Sequence, residues 1–81
     1  MFKRNFMIIL DNVDDREAVK NITGVIDMLI KKRHGKTIWR TIDENNPNCR
    51  VIVVRTAIGV INDIRDIIDE MYPSYCRFKK V

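Results

Sequence analysis

The chain reads as an α+β domain, with four antiparallel strands in one sheet and two helices packed on one of its faces. Three observations predict this. Two short runs, Phe6–Leu10 and Val51–Val54, are apolar at every position and so suit strands covered on both sides. Two longer stretches, 18–29 and 57–71, place apolar residues at three- and four-residue steps, which is one face of a helix. Two further segments, 37–42 and 75–81, alternate in character and carry cations, as half-exposed strands do.

Taken in order, Phe6-Met7-Ile8-Ile9-Leu10 forms the first strand and ends at Asp11-Asn12. Asp14 followed by Glu17 has the spacing of a capping box, in which a carboxylate accepts the free amides of a helix start. Ala18, Val19, Ile22, Val25, Ile26 and Leu29 then mark the buried face of the first helix. Lys31-Lys32-Arg33-His34 opposes the negative end of its dipole, and Gly35 is expected to stop it. Thr37–Ile42 alternates Thr/Trp/Thr with Ile/Arg/Ile, a strand with unlike faces. Glu44–Asn48 is dense in turn formers. Val51-Ile52-Val53-Val54 is β-branched throughout and forms the third strand. Ala57, Ile61, Ile64, Ile68 and Met71 mark the second helix, with Thr56 as its cap and Pro73 blocking its continuation. Tyr75–Val81 supplies the last strand.

The order β-α-β-β-α-β is that of the ferredoxin-like fold, in which strands one and three are central and strands two and four are edges. The two doubly apolar runs are strands one and three. Arg40, Arg77, Lys79 and Lys80 fall on the predicted edges, where charge discourages pairing with other chains. With 81 residues, the domain is a single unit spanning 1–81.

Composition narrows the function classes. Hydrophobic residues at 46% and charged residues at 32% describe a globular chain rather than a disordered one. Thirteen isoleucines, seven asparagines and seven lysines have the flavour of an AT-rich gene. The longest apolar run near the N-terminus is five residues, short of both a secretory signal and a membrane span, so the expected location is the cytoplasm with reduced cysteines. Asn21-Ile22-Thr23 matches a glycosylation sequon but lies within the first helix.

Motifs for chemistry are sparse. Gly35-Lys36-Thr37 ends like a phosphate-binding loop, yet Ile30 stands where the first glycine belongs, and the segment joins a helix to a strand. His34, Cys49 and Cys76 lack the local pairing of zinc ligands. A Cys49–Cys76 disulfide is disfavoured because strand one separates strands three and four. His34 sits among Lys31, Lys32 and Arg33, a poor setting for a general base. The sequence therefore assigns no catalytic residue, no metal site and no cofactor.

Charge distribution carries the functional expectation. The net charge of +4 conceals a tract, 31–40, with five cations and no acid, against residues 61–70, which sum to −3. If Cys76 and Phe78 face the helices, Tyr75, Arg77 and Lys79 face the open side of the sheet, joined by Trp39 and Arg55. The expectation is an RNA-binding surface. Arg55, Arg77 and Lys79 pair with phosphates, Lys31, Lys32, Arg33, Lys36 and Arg40 extend the track, and Trp39 or Tyr75 stacks on bases. Apolar residues on the open face of the central strands point to a protein partner or a homodimer as the alternative.

Two family resemblances accompany this reading. Ile8-Ile9-Leu10-Asp11-Asn12-Val13 is similar in spacing to the first signature strand of the RNA-recognition motif, with Asn12 matched and Ile9 at the place of a stacking aromatic. Arg50–Arg55 takes the place of its second signature, again without aromatics. That resemblance implies single-stranded RNA on the open sheet. Asp11 at the end of the first strand, followed by Asp14-Asp15, resembles the CRISPR-associated ferredoxin-like endoribonucleases and their antitoxin relatives, which implies a metal-dependent ribonuclease using Asp11. In style, the small basic chain also resembles phage accessory proteins that act as regulators or inhibitors of a host factor.

Overall fold

Isoleucine and valine on both parities place two strands at the centre of the sheet, and the chain closes around them. The computed structural model describes residues 2–41 and 50–81. Its elements are β1 (Arg4–Leu10), α1 (Arg16–Lys32), β2 (Lys36–Arg40), β3 (Val51–Thr56), α2 (Ile58–Met71) and β4 (Cys76–Lys80). The sheet order is β2-β3-β1-β4 and every neighbouring pair is antiparallel, which is the ferredoxin-like arrangement. The doubly apolar runs are the central strands β1 and β3, and the cation-bearing ones are the edges, as expected.

Strand alternation defines the covered side. Phe6, Ile8 and Leu10 of β1, Ile52 and Val54 of β3, and Cys76 of β4 are buried under the helices. Helix α1 meets them with one rib at four-residue steps, Ala18, Ile22, Ile26 and Ile30. Helix α2 contributes Val60, Ile61, Ile64 and Ile68. Eight of the thirteen isoleucines are in this core (Ile8, Ile22, Ile26, Ile30, Ile52, Ile61, Ile64, Ile68). At about 1.5–3 kcal/mol for each large aliphatic side chain buried, this layer is the main favourable term in folding.

Several local expectations shift by one residue, each for a physical reason. The cap of α1 is Asp15, whose carboxylate accepts from the Ala18 amide at 3.1 Å, so the Asp14/Glu17 box is not the one used. The stop of α1 is made by His34, in the left-handed region at φ 62, with Gly35 following it. Gly35 N–H donates to the Ile30 carbonyl at 2.8 Å and His34 N–H to that of Lys31 at 3.4 Å, the pair of bonds of a Schellman turn. Gly35 is needed for room instead: a Cβ there would lie 3.0 Å from Thr56 Oγ1 and 3.1 Å from the Arg55 carbonyl oxygen. Thr56 does not cap α2. The cap position is Ala57, without a side-chain bond, and the Thr56 hydroxyl is buried with no hydrogen-bond partner among the described residues. Met71 is half exposed and lies off the buried rib of α2. A register shift between Thr37 and Trp39 breaks the alternation expected across 37–42, so Thr37 faces the helices and Trp39 the open side. The expected turn at Glu44–Asn48, together with Ile42 and Cys49, lies outside the described residues.

Candidate nucleic-acid interface

The face of the sheet away from the helices is built in rows by the register. One row runs Trp39, Val53, Met7, Lys79 from β2 to β4. The next, toward the start of β1, runs Lys36, Arg55, Asn5. On the other side, Val51, Ile9 and Arg77 form a third row. Neither of the first two rows contains a carboxylate. Met7, Ile9, Val51 and Val53 are half-buried aliphatics, so the centre of the face is apolar and its margins are cationic. Trp39 is 54% exposed and its indole is the only one in the chain. Arg55 donates to Asn5 Oδ1 at 3.3 Å, a contact along the sheet that leaves the guanidinium exposed.

The fold also sorts charge from end to end. Because Arg4 faces Thr56, Phe6 faces Lys80 and Lys36 faces Arg55, the start of β1, the end of β3, the end of β4 and the start of β2 share one end. The end of α1 and the start of α2 flank them: Lys3 Nζ donates to the His34 carbonyl at 2.7 Å, and Arg33 pairs with Asp63 at 2.9 Å. Eight of the fifteen Lys/Arg residues gather there: Lys3, Arg4, Lys31, Lys32, Arg33, Lys36, Arg55 and Lys80. Asp63 is the only carboxylate of the two adjoining helix turns. The opposite end holds Asp11, Asp14, Asp15, Glu17, Asp69 and Glu70.

The sequence-derived set is therefore divided. Trp39, Arg55, Lys79 and Arg77 lie on the open face as expected, and Lys36 joins them. Arg77 is engaged, its guanidinium donating to Asp11 at 3.2 Å. Lys31, Lys32 and Arg33 belong to the basic end on the helix side, with Arg33 already paired. Arg40 pairs across Ile52 on the helix side and makes a two-pronged bond to Asp27 of α1, 2.8 Å at its shorter contact. These pairs are well exposed, and each is worth about 0–1 kcal/mol.

Tyr75 corrects the expectation made for it. It precedes β4, so strand parity does not govern its direction. Its ring sits 5.3 Å from that of Tyr72, and its hydroxyl donates to Asp15 at 3.0 Å, tying the end of α2 to the start of α1. That hydrogen bond and the charge of Asp15 raise the Tyr75 pKa above its ordinary value. Asp11 ends β1 as anticipated but is held by Arg77, while Asp15 is spent on the helix cap and Tyr75. Cys76 is buried and its thiol is pushed up to about 12, first by burial and then by the nearby charges of Asp69 and Asp11. His34 and Cys76 lie at opposite ends of β1, roughly 20 Å apart at the rise of a strand, so they share no site.

Sequence reasoning missed the contributions of Lys3, Arg4 and Lys80. Only the antiparallel register brings the two chain ends together, and parity within one strand cannot show that. No described helix is long and apolar enough to cross a membrane. Searches for this chain among protein-family models, curated proteins and solved structures returned no significant match, so what is shown is a ferredoxin-like topology and no family.

Proposed function

We propose that this protein is a non-enzymatic RNA-binding module, acting as a regulator or inhibitor within a protein–RNA complex. The observation that carries the reading is the open face itself. The exposed Trp39 shares a row with Lys79, Lys36 and Arg55 lie in the adjoining row, and neither row holds an acid. A base stacked on Trp39 and phosphates running past Arg55 and Lys79 use the two interactions that single strands offer. Lys36, Lys31 and Lys32 continue the positive track around the basic end.

The chain supplies its own reporter, because Trp39 alone carries indole fluorescence. Titrating a single-stranded RNA oligomer should quench that emission with saturation, and affinity should fall steeply with salt as counterions are released. Changing Arg55 and Lys79 together to Glu should reduce affinity by at least about tenfold and flatten the salt slope by about two contacts. Absence of quenching at low salt, or indifference to the double change, removes this reading.

A second reading, a protein partner docked on the same face, is favoured by one feature: the aliphatic centre of Met7, Ile9, Val51 and Val53. It predicts a complex that survives nuclease and high salt and is lost on Val53→Asp.

A further inference from the structure

Seven Lys/Arg residues lie away from the basic end, and four of them converge on one place. Arg16 and Lys20 of α1, Arg40 at the end of β2 and Arg50 just before β3 line a cleft of about 850 Å³ between the helix and this edge of the sheet. Asp14 is the one carboxylate among the described lining residues. This inverts the local trend, since the same end of the molecule is otherwise acidic. Like charges gathered in a concavity repel one another and focus a positive field into it, and an anion resolves both.

The side chains are poised as well as charged. Arg40 is already oriented by its two-pronged bond to Asp27, which does not line the cleft. Arg50 also lines the cleft, so its guanidinium adds to the positive field there. Beneath the cations, Leu10 and Ile52 form an apolar floor, with the half-buried Val13 and Val19 beside them. The volume is that of small-molecule sites, about 300–1,000 Å³.

We infer that this cleft binds a phosphorylated nucleoside, with its phosphates on Arg16, Lys20 and Arg50 and its less polar body on the floor. Guanidinium groups take phosphate oxygens in a planar fork and also stack on bases, so three arginines and a lysine suit both halves of such a ligand. The same chemistry is presented by a free nucleotide and by the 5′-phosphorylated end of an RNA strand. The inference does not rest on the open-face reading, because Leu10, Ile52 and Arg40 all point to the helix side of the sheet.

The test uses the full chain, titrated separately with ATP, AMP and adenosine and followed by amide NMR shifts. ATP should saturate between about 10 μM and 1 mM, and AMP and then adenosine should bind progressively more weakly. The shifts should centre on residues 13–23 and 50–52. Lys20→Glu, at an exposed helix position, should weaken ATP by at least about tenfold. Arg50→Met should do the same, and if it fails to fold the Lys20 variant still decides. Comparing a 5′-phosphorylated RNA oligomer with its 5′-hydroxyl twin separates the two sources. A preference for the phosphorylated strand that vanishes in Lys20→Glu assigns the cleft to an RNA end, and equal binding of the two strands beside saturable ATP assigns it to free nucleotide. Changing Arg55 and Lys79 to Glu should leave ATP binding intact, which keeps failure of the open-face reading distinct. Unsaturable shifts with ATP, or equal affinity for ATP and adenosine, would overturn the inference.

Discussion

Where β1 ends and β4 begins, polar side chains answer one another within the chain; where β1 begins and β4 ends, they largely do not. At the first end, Asp15 caps α1 and accepts from Tyr75, Asp11 holds Arg77, and Asn21 donates to the Tyr72 hydroxyl at 2.7 Å. At the second, the Arg33–Asp63 pair is set against seven further cations, and the helix terminations are made by backbone alone. Self-repulsion at that end costs stability that internal pairing would have spared. The exception at the first end is the cleft lined by Arg16, Lys20 and Arg50; at the second end the excess of cations is general, and the proposed function draws on it.

The acidic end can be read through Cys76, which starts β4 beside Asp11 and Asp69. Its thiol is held at about 12 against an ordinary 9.0, so the folded protein keeps it protonated well into alkaline solution. Three pH units correspond to on the order of 10³ less thiolate at pH 8 than a free cysteine offers, and modification by a thiol reagent should slow accordingly. Measured in a Cys49→Ser background, the rate should rise to that of free cysteine only on unfolding. Because the folded pKa is raised, the associated stability is fully present below pH 9 and is lost as pH climbs toward 12. Asp69→Asn should lower the pKa; unchanged reactivity in that variant would show that burial acts alone.

At the basic end, the seam to break is Gly35. A methyl group there meets Thr56 Oγ1, the Arg55 carbonyl and Ile30 Cγ2, all at 3.0–3.1 Å, and two of these are held by the sheet. Gly35→Ala should cost about 1–3 kcal/mol, the usual penalty of overpacking, visible as a lower urea midpoint at unchanged m. Gly59, whose added Cβ would meet nothing within 4 Å, is the control: alanine there should be neutral or stabilising.

Asp15→Ala removes two contacts at the other end, the cap on Ala18 N–H and the acceptor for Tyr75. A lost cap costs about 0.5–2 kcal/mol. The Tyr75 pKa should also fall back toward its ordinary value, which ultraviolet titration of the phenol reads directly. Tyr75→Phe should cost less, since the cap remains. A Tyr75 pKa that does not fall in Asp15→Ala would refute the link between α2 and α1.

How much of this was legible in the residues depends on the range of the cause. The fold was, because doubly apolar runs and helical ribs such as Ile22, Ile26 and Ile30 are properties of short windows. The open-face placement of Arg77 and Lys79 was, because parity within one strand needs only Cys76 and Phe78 as reference. Tyr75 was not, because parity ends where the strand does and a phenol then follows its nearest acceptor, Asp15. Thr37 and Trp39 parted because a register shift is set by pairing with β3 rather than by composition. The roles of Lys3, Arg4 and Lys80 depended on strands distant in sequence, and no window contains them together.

The smallest effect concerns His34, and it separates backbone from side chain at the basic end. A residue other than glycine at φ 62 carries a strain of about 1 kcal/mol, partly offset by the extra freedom that glycine has in the unfolded chain. His34→Gly should therefore stabilise by about 0.5 kcal/mol. The carbonyl that receives Lys3 Nζ and the amide that bonds Lys31 are both kept, so the Schellman turn and the tie to β1 survive the change. His34→Ala should be neutral or slightly destabilising, because it retains the strain. If glycine instead destabilises by a comparable amount, the imidazole itself contributes to this end of the molecule, and the termination of α1 is not the work of backbone alone.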